Sequence, residues 1–152
     1  MEYTVTDLLK EKENGPWICL TEGMDLSNIV IKSCFPHELP MRGFIRPGEL
    51  VMTSVSEGRQ DPEIFRRTIE EAYADGAAAI ALSFPDETRV PDSAVALAQR
   101  LGLPLLQVGW DINFTDIQEY VTQAVRNAHM TEYVRLQSDM FNAYFNGKTL
   151  ED

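Results

Sequence analysis

The sequence predicts a layered α/β fold: a sheet with consecutive right-handed βαβ units, extra N-terminal strands and a long C-terminal helix. Three observations carry this. Short apolar runs alternate with amphipathic stretches of about a dozen residues from Glu49 onward, Pro and Gly punctuate the joins, and helical spacing continues without a strand signal after Asn113.

The elements follow in order. Val5 to Lys10 reads as a short helix, and Trp17 to Leu20 and Asn28 to Ser33 read as two strands around the turn Thr21-Glu22-Gly23. These are expected as additions to the main sheet, antiparallel in direction. Arg46-Pro47-Gly48 has the chemistry of a type II turn, with Pro fixing φ and Gly accepting positive φ, and it opens the strand Glu49 to Ser54. Asp61 caps the next helix with Pro62 at its first position. Ile64, Phe65, Ile69 and Ala72 give that helix an apolar face, and Asp75-Gly76 ends it. Ala77 to Phe84 is nearly all small or apolar, too short for a helix with clear ends, and so reads as a buried strand. Pro91-Asp92-Ser93 starts a second helix, Gly102 stops it, and Pro104 to Val108 makes a third strand. Strands joined by such crossovers run parallel and right-handed.

The last segment is one helical pattern. Thr115 and Gln118 suggest a capping box, and Ile117, Val121, Ala124, Val125 and Ala128 recur at helical spacing. Apolar residues continue through Tyr133, Leu136, Met140 and Tyr144 until Asn146-Gly147, where a stop is expected. Such a helix would span roughly 45 Å, longer than a small domain is wide. It either breaks near His129-Met130-Thr131 and folds back, or its second half packs on another chain, which is the preferred reading. The expected organisation is therefore a regulatory domain over residues 1–128 and a helical linker over residues 129–152 leading to a further segment.

Composition narrows the function classes. The chain has 152 residues, 44% of them hydrophobic, enough for one core. No apolar run approaches the roughly 18 to 20 residues of a membrane span, and the acidic N-terminus lacks the pattern of a secretory leader, so a cytoplasmic setting is expected. Cys19 and Cys34 sit in apolar stretches, as small buried hydrophobes do in a reducing compartment. With only His37 and His129 beside them, no metal site is expected and no cofactor is called for. The net charge of −11 repels a phosphate backbone, so contact with DNA would have to be made by another segment. No nucleophile elbow, phosphate loop or dinucleotide fingerprint is present, and an enzyme is not expected.

Ligands of parallel sheets lie beyond the carboxyl ends of the strands. That rule selects Thr53 and Ser54 after the first strand, Ser83 with Asp86 and Arg89 after the second, and Trp110, Asp111 and Asn113 after the third. Together they would form a polar pocket with one aromatic wall. Caps and turns are the competing use of the same side chains.

The segments TVTDLL (Thr4 to Leu9), HELP (His37 to Pro40), RPGELVMTS (Arg46 to Ser54), DGAAAIALSF (Asp75 to Phe84) and GLPLLQV (Gly102 to Val108), in this order, resemble the N-terminal domain of PucR-type regulators, the purine catabolism regulator family. The resemblance covers about residues 5–127. It implies a bacterial transcription regulator whose N-terminal domain receives a metabolite signal and whose DNA contact is made by a C-terminal helix-turn-helix that this sequence does not contain. It adds Glu38 and Glu49 as ligand-binding candidates, because the family pattern keeps an acid at both places. The expected partners are a small effector, of unspecified identity, and a second copy of the chain joined through the C-terminal helix. The alternative is an oligomerisation module that takes no small ligand.

Overall fold

A computed structural model describes residues 2–144. Its sheet has five strands in the order β1-β5-β4-β3-β2, with β1 at Ile18–Cys19, β2 at Ser33–Pro36, β3 at Glu49–Thr53, β4 at Ala79–Leu82 and β5 at Leu105–Gln107. β2 through β5 are parallel to their neighbours, and β1 closes one edge antiparallel to β5. The helices are α1 (Val5–Leu9), α2 (Pro62–Ala74), α3 (Asp92–Leu101) and α4 (Phe114–Glu151).

Every residue of β3 and β4 is buried, as a parallel sheet covered on both faces requires. Side chains alternate between two cores. Val51, Ile80 and Leu105 meet Phe65 and Ile69 of α2 and Ala98 of α3. Leu50, Ala81 and Leu106 meet Leu8 of α1 and Val121 of α4. The result is three layers, with α2 and α3 on one face and α1 and α4 on the other.

The expected punctuation works as chemistry. Glu49 N–H donates to the Arg46 carbonyl at 3.1 Å across the turn, and Gly48 at φ 82° takes the left-handed position there. The Asp61 side chain accepts from the Glu63 N–H, Pro62 is the first helical residue, and Gly102 at φ 72° ends α3.

Three expectations are corrected. The strand placed at Asn28 to Ser33 lies instead at Ser33–Pro36, because Asp25 caps a 3₁₀ turn over Leu26–Asn28 and the backbone of Ile29 and Ile31 bonds to Val5 and Tyr3 around an antiparallel Thr4–Val30 bridge. This strand is parallel to β3 and sits at the edge opposite β1, so the two N-terminal strands do not flank one turn as neighbours. The cap of α4 is Asn113, whose Oδ1 accepts from the Thr115 N–H at 2.8 Å, rather than the Thr115 and Gln118 box. The helix continues through His129-Met130-Thr131 without a break. The stop expected at Asn146-Gly147 lies outside the described residues.

Candidate functional site

The connections after β3 and β4 lead to α2 and α3 on one face, whereas the connection after β5 crosses the sheet edge to reach α4 on the other. Loops leaving adjacent strands toward opposite faces cannot cover the ground between them, and a crevice opens there. It lies at the carboxyl ends of β4 and β5, has a volume of about 380 Å³, and is lined by Ser83, Trp110, Asp111, Ile112, Asn113 and Phe114.

Its groups are fixed by the backbone. Val108 N–H donates to the Leu82 carbonyl at 3.0 Å, which aligns β5 with β4 up to the point where they part. Buried Ser83 donates its hydroxyl to the Gly109 carbonyl at 3.2 Å, and Ile112 N–H donates to the same carbonyl at 3.1 Å. This turns the chain sharply at Gly109, where the Asp111 carboxylate lies close to the backbone. Trp110 is 55% exposed and supplies a broad aromatic wall. Asn113 accepts from Thr115 and so caps α4, with Phe114 as the first helical residue. One aromatic face, one carboxylate and one amide therefore meet at a helix start.

Four of the expected site residues, Ser83, Trp110, Asp111 and Asn113, come together in this crevice. Thr53, Ser54 and Glu38 form a separate cluster beside it. The Glu38 carboxylate accepts from the Thr53 hydroxyl at 2.6 Å, the Ser54 hydroxyl at 2.7 Å, and the N–H groups of Ser54 and Ser56 at 3.1 and 3.4 Å. Between them Val55 is held at φ 52°, a strained position for a β-branched residue. The Thr53 hydroxyl also accepts from the Val55 N–H. These groups satisfy one another and fasten the loop after β3.

Arg59, which the sequence reading did not single out, ties that loop to the next one. It donates to the Ser54 carbonyl at 3.3 Å and pairs with Asp86 at 3.2 Å. The Thr88 N–H and hydroxyl also donate to Asp86, and these bonds with Arg59 hold its carboxyl below the usual range. The signal available was a cation placed one loop before an acidic one at the same sheet edge. Arg89 is away from the crevice, almost fully exposed, with Asp92 at 3.8 Å. Glu49 stands at the incoming end of β3, buried and 2.8 Å from His37 Nε2. Ile112 and Phe114 were also missed, since apolar lining gives no signal distinct from core.

Among the described residues no group of three or more His, Cys, Asp or Glu could hold a metal ion. No helix of the described residues is long and apolar enough to cross a membrane. The sequence model of the purine catabolism regulatory protein-like family matches residues 7–136. The chain belongs to this family. The match spans every strand, the crevice and the start of α4, so the fold described above is that of the family's domain in this chain. The family is a regulatory one. A search of curated proteins finds no match.

Proposed function

We propose that this chain is the signal-sensing domain of a bacterial transcription regulator, taking a small metabolite in the Trp110 crevice and passing its occupancy to α4. The observation that carries the reading is that Asn113 and Phe114 are at once crevice wall and helix start. A molecule seated against Trp110 touches the first turn of α4, so any preference it has between two positions of that turn shifts the helix. The mixture of an aromatic wall with Asp111 and Asn113 suits a small nitrogenous ligand with a flat face. The two free cysteines agree with a reducing, cytoplasmic setting. DNA contact falls to another segment of the regulator, in keeping with the charge of −11.

The test is a thermal-shift panel of small nitrogenous and acidic metabolites. At ligand concentrations about a hundred times Kd, binding adds about 2.7 kcal/mol to folded-state stability. The response should vanish in Trp110→Ala, whose exposed side chain can be removed without opening the core. A panel with no hit at millimolar ligand sinks the proposal. A domain that only joins copies of the regulator would give that flat result.

A further inference from the structure

The inward face of α4 ends early. Ile117, Val121 and Val125 are buried against the sheet, and beyond Ala128 no described residue of the helix is. The exposed apolar residues that follow do not continue that face. Val121 and Met130 are nine residues apart, about two and a half turns at 3.6 residues per turn, and therefore point to opposite sides of the helix. Met130, Val134, Gln137, Phe141 and Tyr144 then follow one another at spacings of four, three, four and three, a heptad stripe over two repeats that Tyr133 and Met140 flank and in which only Gln137 is polar. The domain's own sheet lies behind the helix and cannot cover it. On one flank, Lys32 to Phe35 at the open edge strand β2 border an apolar groove of about 550 Å³ that also takes in Val125, Met130 and Tyr133.

The stripe is large. Its six apolar residues, flanks included, are between 56% and 72% exposed, and with a fully exposed large side chain at about 200 Å² they present roughly 700 Å². Phe35, 42% exposed across the groove, brings this to about 800 Å². A monomer's largest apolar patch is about 300–600 Å². A standard protein–protein interface buries about 800 Å² per partner. The polar residue inside the stripe is also prepared for burial: Gln137 donates to the Tyr133 hydroxyl at 2.8 Å.

We propose that this outward stripe packs against the same stripe of a second copy of the chain, so that the paired helices form the centre of a dimer and the two α/β bodies lie outside. Self-pairing fits the charge pattern, since Arg135 and Asp139 fall off the stripe and no like charges meet within the seam between Met130 and Tyr144. It is independent of any ligand in the crevice.

Sedimentation and light scattering of the 152-residue chain over a wide concentration range test it. The expected mass is twice 17.2 kDa. The double variant Val134→Glu with Met140→Glu, at exposed positions, should weaken association roughly a hundredfold and give a monomer whose α/β body keeps its thermal transition. Asn142→Ala, on the other side of the helix, should leave the dimer intact. A wild-type monomer at every concentration overturns the proposal, as does a dimer indifferent to the double variant; either result would assign the stripe to a different occupant.

Discussion

Glu49 illustrates how a single carboxyl can be isolated from the function around it. It is 1% exposed, and burial raises its pKa from the ordinary carboxylate range, while the hydrogen bond and charge of His37 and the contribution of Arg46 pull it back without reversing the shift. A carboxyl whose folded pKa exceeds its unfolded one supports folding fully below the unfolded value and loses that support as pH rises through the folded value. Glu49→Gln keeps the shape and stays neutral. Its melting temperature relative to wild type should therefore climb as pH rises above the ordinary carboxylate range, about pH 4. A difference that stays flat, or falls with pH, would overturn the upward shift. The position at the incoming end of β3 places this pair remote from the crevice, so its removal should leave ligand response unaltered.

Among the elements, α4 is the one whose start matters most. Asn113→Ala removes the acceptor for Thr115 N–H, and loss of such a cap costs about 1 kcal/mol. Denaturant unfolding should show that loss, and an unchanged midpoint would mean that another group caps the helix. The same helix shows what a sequence can and cannot reveal. α2 and α3 were legible because Pro62 and Pro91 fix φ at the helix starts, Asp61 caps the first of them, and Gly76 and Gly102 readily take the positive φ that follows a helix end, whatever surrounds them. β2 was misplaced because Ser33-Cys34-Phe35-Pro36 has no β-branched residue and contains a proline, which only an edge strand tolerates. The crevice residues were readable from the rule of strand ends. Their division into a crevice and the Glu38 cluster was not, because Glu38 comes from a loop fifteen residues before Thr53 and only the fold brings them within 2.6 Å. The opposition of the two apolar faces of α4 was available from residue spacing alone, but its meaning depended on which face the sheet would take.

Taken as one body, the chain carries 24 acidic against 13 basic residues. Duplex DNA at low salt, where a cationic domain would bind most tightly, should remain unshifted by this chain in gel electrophoresis. Retardation of the duplex would overturn the assignment of DNA contact to another segment. The acidic balance also accounts for why the one broad apolar face does not need to drive indiscriminate association: like-charged bodies approach only where a matched surface compensates their repulsion.

The early end of the packed face of α4 has a mechanical corollary. From Phe114 to Val125, the last buried position, the helix runs about 16 Å, and from there to Tyr144 about 28 Å. Because Ile117, Val121 and Val125 all sit on the sheet, the first stretch is clamped and the second is a lever, so that any tilt of the seated part as a unit displaces Tyr144 further than Val125. Under the function proposed above, a slight tightening around a bound metabolite would thus arrive enlarged at Tyr144.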